Sequence, residues 1–590
     1  MPFFLTTKSI SELSDRSWRE RRLAISIIGL KPFRHWQVWA ALTLTSFVLL
    51  WAIETIAGNL IWNKEVSATL TAYIVWATIP LVPFAVAGLI YQHTYLKALR
   101  RYITFVSFEQ APRLGATLKG LLTGMASIPL AVCLMFAIDW TINSFDDSPD
   151  PRIATLMNWP APVPDSENGY IASVSMEAPV GTNPFEAGRR WIARNDEIVL
   201  SHSGENPNSP EGLIFTEYSA KDAPGKPVPR KLGGIFCRPG AESCLDIAQR
   251  EQAEIRAWLA ANRELLVRYQ SLHQYPQWQY PTSPGMVILP RYSSLLRGQS
   301  LLHASALLAL GNGQTGKAVE MIASDFRFVR RMMGAKDVLI GKMIAATLYL
   351  RDLAVLSDVI QRRPRELAPH WDRIEKMLGP LTINEVSTAD TFRFEGKWGL
   401  AHIERLSYHP NPELDDYPEF VAAWMRHHFK PNSVMNHQLD LMDRLAASVK
   451  LTDANYTPIY RGNSVNPMQD ISRVSGFMHN QLGKLSVITG SSTNYFSYAN
   501  KLIDLNALNN LVHLQAALTR NRILAKDVPT FLAGNDMAQC NPETGKPFEW
   551  DGNEKEIYFI PATESYRKDL HLSGTTPGRM GIRMAERISD

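Results

Sequence analysis

At 590 residues, with 45% hydrophobic and 20% charged side chains, the chain has material for several domains and an ample core, which excludes a disordered or fibrous polypeptide. The formal net charge of +4 is unevenly distributed: residues 143–590 carry 48 Lys and Arg against 50 Asp and Glu, so most of the chain lacks the basic excess of a nucleic-acid-binding surface.

Residues 1–34 form a basic segment with seven Lys or Arg. Three stretches almost free of charge follow within 35–142, from His35 to Trp62, Val66 to Leu96 and Gly120 to Ile138. Each meets the requirement of about 20 apolar residues for a helix across a bilayer, so three transmembrane helices are expected. The first begins too late and runs too long for a cleaved signal peptide. Lys and Arg are concentrated before the first stretch and between the second and third, which predicts a cytoplasmic N-terminus and residues 143–590 in the periplasm of a bacterial inner membrane. On the third stretch, Ala116, Gly120 and Gly124 stand four apart, a spacing that lets helices approach closely, either within the anchor or in self-association.

Residues 143–240 are rich in Pro, Gly, Asn and Ser, with strand-like runs at YIASVSM and EGLIFTEY, and are expected to form a loop-rich neck with minor β structure. Cys237 and Cys244 bracket CRPGAESC, whose Pro-Gly turn can bring them within bridging distance. In an oxidising compartment a disulfide is expected there, with Cys540 as a competing partner.

From 241 to 525 the pattern is helical. Ile255, Trp258, Leu259, Leu265, Leu266, Tyr269 and Leu272 recur at spacings of three and four, which predicts one buried face. GNGQTGKA at 311–318 matches the P-loop pattern at Gly311, Gly316 and Lys317 but has Ala318 where a hydroxyl is required. SSLLRGQSLLHASALLAL before it has helical periodicity, so no strand feeds the loop. The stretch reads as a tight turn between helices at 293–310 and 317–333, and no nucleotide is expected. With small residues on its first helix, Gly near its end and Ala318 on the second, the hairpin resembles a tetratricopeptide unit. No fixed 34-residue period continues it, so the domain is repeat-like rather than a repeat array. The next helix, DVLIGKMIAATLYLRDLAVLSDVIQ, is apolar nearly all round, but Lys342, Arg351 and Asp352 mark it as buried in protein rather than a fourth span. Further helices are expected near 366–378, 383–406, 418–429, 434–449, 466–487 and 494–525.

In the C-terminal segment, 526–590, NPETGKPFEW followed by KEIYFIP predicts a turn and a small β-hairpin. The turn resembles the D-P-x-x-G-x-P motif in the small C-terminal sheets of type II secretion pseudopilins, with Asn541 in place of the Asp; the likeness covers about twenty residues and implies a local module. The whole chain is similar to uncharacterised bacterial inner-membrane proteins with a helical periplasmic domain, a resemblance that implies no activity.

Chemistry-bearing motifs are sparse. Five histidines (His402, His409, His427, His428 and His437) fall between 402 and 437. Glu395 shares a helix face with His402, and Asp440 and Asp443 share one with His437, yet no zinc pattern is present and no metal is expected. Asp415 with Asp416, or Asp390 with Glu395, could supply paired carboxylates to a glycan hydrolase, but no nucleophile motif accompanies them. The expected protein is mainly α-helical, anchored in the lipid bilayer by three spans. It binds or scaffolds an envelope protein partner and has no cofactor and no assigned catalytic residue. The alternative is a membrane-anchored hydrolase of peptidoglycan or another envelope polymer.

Overall fold

The computed structural model describes residues 17, 137–200, 226–229, 232, 243–280, 290–408, 426–451, 479–480, 483, 495–534, 541, 544–562 and 579–583. The chain divides into two compact units, Met1–Phe145 with Phe477–His479, and Asp146–Gly476 with Asn480–Asp590.

Helices α1 (Pro151–Met157), α2 (Gly169–Val174) and α3 (Pro184–Leu200) are followed by α4 (Cys244–Arg250), α5 (Gln252–Ala261) and α6 (Arg263–Leu272). Three long helices come next, α7 (Tyr292–Gly311), α8 (Thr315–Gly334) and α9 (Leu339–Arg362). Short helices α10 (Pro364–Leu367), α11 (Trp371–Met377) and α12 (Ile383–Val386) lead to α13 (Ala389–Tyr408), α14 (Pro431–Ser448), α15 (Tyr495–Arg520) and α16 (Val528–Ala533). Strands β1 (Glu549–Asp551), β2 (Glu556–Phe559) and β3 (Met580–Arg583) form an antiparallel sheet in that order.

The hydrophobic pattern explains how the long helices pack. On α8, Val319, Ile322, Ala323, Phe326, Val329 and Met333 recur every three or four residues and are buried, while Arg327 on the opposite face is exposed. Helix α7 buries residues on nearly every face because α6, α8 and α9 all pack against it. Gly298 permits the closest of these approaches: a Cβ there would lie 2.6 Å from the ring of Tyr269 on α6. A main cluster of buried apolar side chains runs from Tyr170 through α6–α9 and α15 to Ile582 of the sheet. A second gathers Phe392, Leu441, Met442, Leu445 and Tyr495 where α13, α14 and α15 meet.

The stretch from Gly311 to Lys317 is a helix-to-helix turn. Gly313 takes φ +75°, which allows Gln314 to return its N–H to the Ala309 carbonyl at 2.9 Å. Lys317 is exposed on the first turn of α8.

Several expectations are corrected. YIASVSM, read as strand-like, lies largely in α2: Asn168 caps the helix by accepting from Tyr170 N–H at 3.1 Å, and burial of the whole turn outweighs β propensity. The second strand-like run, EGLIFTEY, is outside the described residues. The C-terminal module has three strands, not two, because β3 pairs with β2 from Glu556↔Arg583 to Phe559↔Met580.

No membrane anchor is seen among the described residues. Among the described residues no helix is long and apolar enough to cross a membrane. The long apolar helices instead bury polar groups that meet one another or the backbone inside the protein, Gln299 and His303 on α7 reaching Asp352 on α9 and Lys342 on α9 donating to the Asn384 carbonyl. The three expected spans fall almost wholly within residues 35–136, outside the described residues, as does the packing face of Ala116, Gly120 and Gly124. The inner-membrane and periplasmic placement, the lipid bilayer as partner and self-association through a third span rested on those helices and are withdrawn with them. The envelope scaffold and the anchored peptidoglycan hydrolase go for the same reason. The bridge expected between Cys237 and Cys244 cannot be traced within the described residues. Cys244 is buried and disulfide-bonded, but Cys237 and Cys540 lie outside the described residues, so no disulfide is complete among them.

Candidate functional site

Helices α7, α8 and α9 carry polar side chains at positions where their periodicity calls for apolar ones, and these converge in the core. His303 of α7, Asp325 of α8 and Asp352 of α9 are all fully buried. His303 Nε2 lies 2.7 Å from Asp352 Oδ1 and 3.6 Å from Asp325 Oδ2. Gln299, one turn before His303, places its Nε2 between the carboxylates, 3.1 Å from Asp325 Oδ2, 3.0 Å from Asp352 Oδ1 and 2.9 Å from the Leu348 carbonyl. Tyr269 donates its hydroxyl to Asp325 Oδ1 at 2.8 Å. His273 Nε2 lies 3.1 Å from the same oxygen without the alignment of a hydrogen bond. Arg351, next to Asp352 in sequence, donates to the Leu296 carbonyl at 2.9 Å and to Ser300 Oγ.

The electrostatics separate the two acids. Burial alone would raise Asp325, but contacts from His273 and His303 and the Asp352 carboxyl hold it at about 2. Burial and the charge on Asp325 push Asp352 well above the usual carboxylate range. The two acids are thus driven apart, Asp325 toward its charged form and Asp352 toward its neutral one. Burial also lowers His303 to about 4, leaving its imidazole neutral.

Residues of α8 between Ala323 and Gly334 help to line a cleft of about 630 Å³ between α8, α11 and the start of α12. Ala323, Phe326 and Met377 supply apolar surface, and Arg327, Arg330, Arg331, Arg373 and Lys376 bring five cationic groups. The carboxylate of Glu385 also lines it, and Glu320 at its margin accepts from Arg327 at 3.1 Å and Arg373 at 2.6 Å. Arg330 is fixed in place: it forks onto Glu385 at 2.6 and 2.8 Å and donates to the carbonyls of Gly379 and Pro380 at 3.0 and 2.8 Å. Burial opposes its charge, but Glu385 raises Arg330 above its ordinary value. Glu385 is itself oriented by a capping box with Thr382 at the start of α12. Arg331 donates to the His273 carbonyl at 2.8 Å, and burial together with Arg327 lowers it from its ordinary value. Among the described residues neither Arg331 nor Lys376 has a carboxylate partner. Two cations are thus left without counter-charge on a wall whose other groups are held rigidly.

Beneath this wall lies Lys342, fully buried, donating to the carbonyls of Met333 and Asn384, the latter at 2.6 Å. Burial lowers it to about 7 against the pull of Glu385 and Asp337.

The residues singled out in the sequence lie elsewhere and do not converge. Asp440 and Asp443 both take exposed Arg152, at 2.6 and 3.0 Å, and so tie α14 to α1, while His437 is buried on another side of α14. Glu395 accepts from Leu339 N–H at 2.6 Å at the start of α9. Asp390 pairs with Arg393 at 3.6 Å. The rings of His427 and His428 are 5.5 Å apart. His409, Asp415 and Asp416, and the side chain of His402, are outside the described residues. Conversely, reading the sequence noted Lys342, Arg351 and Asp352 only as charges that barred α9 from lipid, and passed over Gln299, His303 and Asp325. The signal was present in Gln299 and His303, four apart on a helix apolar all round. No family model, characterised protein or solved structure matches the chain.

Proposed function

We propose that the protein binds a small organic polyanion, carrying phosphate or carboxylate groups, in the cleft between α8, α11 and α12. The carrying observation is charge imbalance in a confined space: five cationic side chains face two carboxylates around about 630 Å³, a volume that suits a small ligand. Arg330 is already spent on Glu385 and two carbonyls, so it shapes the wall, while Arg331 and Lys376 remain to meet the ligand's charge. Phe326 and Met377, almost wholly buried in the core, give the cleft an apolar floor.

The test is thermal unfolding of the full chain with pyrophosphate, citrate or chloride at matched ionic strength. A saturable rise in midpoint with pyrophosphate or citrate, absent with chloride and lost in Lys376→Gln, is expected. Equal shifts with all three salts, or none with any, would overturn the reading.

A further inference from the structure

We propose that His303, Asp325 and Asp352 form a site for one divalent first-row metal ion, of which zinc is the representative, holding α7, α8 and α9 together. Their donor atoms all lie within 4.8 Å of one another. The His303 Nε2 distances of 2.7 and 3.6 Å to Asp352 and Asp325 bracket the edge of about 3.4 Å expected between ligands around tetrahedral zinc. One imidazole and two carboxylates are a donor set of mixed nitrogen and oxygen that suits such an ion and balances its charge.

The independent observation is that the cluster lacks donors. Gln299 offers one amide nitrogen with two hydrogens to three acceptors, the two carboxylates and the Leu348 carbonyl. Asp352 Oδ2, although wholly buried, has no hydrogen-bond partner, and neither has Gln299 Oε1 on the amide set between the carboxylates. Orphaned oxygens at full burial are costly, and a cation among them answers all of them at once. Rotation of the Gln299 amide turns Oε1 toward the same point as a fourth ligand, the third oxygen. Because no member of the cluster reaches solvent, the ion enters as the helices assemble and exchanges slowly. A proton shared by the two carboxylates is the competing occupant.

The full chain, purified without chelator, is assayed for metal by mass spectrometry, then unfolded with chelator and refolded with zinc, cobalt or no metal. The proposal expects about one equivalent per chain after refolding with zinc, a higher unfolding midpoint than the metal-free protein, and visible cobalt absorption of a nitrogen- and oxygen-ligated site. Asp352→Asn and His303→Gln each lower metal retention by about tenfold or more, while Lys376→Gln retains it in full. If either cluster variant does not fold, the cobalt spectrum of the wild-type chain decides. Identical midpoints with and without zinc and no cobalt spectrum would assign the cluster to a shared proton, and metal retained equally by Asp352→Asn would be adventitious; either result overturns the proposal.

Discussion

Lys342 shows what a single residue contributes here. The side chain is fully buried and held by two backbone carbonyls, with Glu385, Asp337 and Asp390 as the acids around it. In the unfolded chain a lysine keeps its proton to its ordinary value of 10.5, whereas the buried one releases it at about 7. Between these values the unfolded state binds more protons, so stability increases with pH across that window and is lost as pH falls through about 7. Asp337, raised by burial to about 7, has the opposite slope, but only below that value, where stability falls as pH rises from the ordinary carboxylate range. Urea unfolding should therefore show the wild-type chain gaining about 2 kcal/mol between about pH 7 and pH 9.5, a gain absent in Lys342→Met. An unchanged slope in the variant would place the titration elsewhere.

At the scale of elements, the hydrophobic period carried the long helices. The hairpin of α7 and α8 and the buried nature of α9 were legible because spacing of three and four, a glycine turn and isolated charges are local signals. So was the turn after Asn541, which closes with Asn541 N–H donating to the Lys546 carbonyl at 2.9 Å. The neck was misread because Pro and Gly content says nothing of helices of six or seven residues capped by Asn168 or Asp150. The segment after α2 shows why local composition misleads: a distant side chain organises it. Arg268 of α6, buried and paired with Glu264 at 2.9 Å, donates to the carbonyls of Met176, Ala178, Pro179 and Thr182. Arg268→Met would leave those acceptors short and cost about 3 kcal/mol or more, with limited proteolysis cutting first between residues 176 and 183. Wild-type resistance there in the variant would show that the loop holds without Arg268.

For the molecule as a whole, both proposed sites depend on contacts between residues far apart in sequence. Residues 269, 299, 303, 325 and 352 meet only once α6–α9 are packed, and the cleft needs α11 and α12 folded back on α8. No motif spacing encodes such a set, whereas the histidines clustered between 402 and 437 were conspicuous and were not brought together in the part described. Helix α8 joins the two sites physically: Asp325 points into the core cluster while Arg327, Arg330 and Arg331 face the cleft, and Arg331 reaches the carbonyl of His273, whose ring lies beside Asp325. The cleft is thus linked to the buried cluster through Arg331 and His273.

Calorimetric titration of pyrophosphate into the full chain, repeated at low and high potassium chloride, addresses the central claim most directly. The polyanion cleft predicts one saturable site per chain, an affinity that falls as salt rises, and a loss of about tenfold or more in Lys376→Glu. No saturable heat, or binding unchanged by that charge reversal, would contradict it.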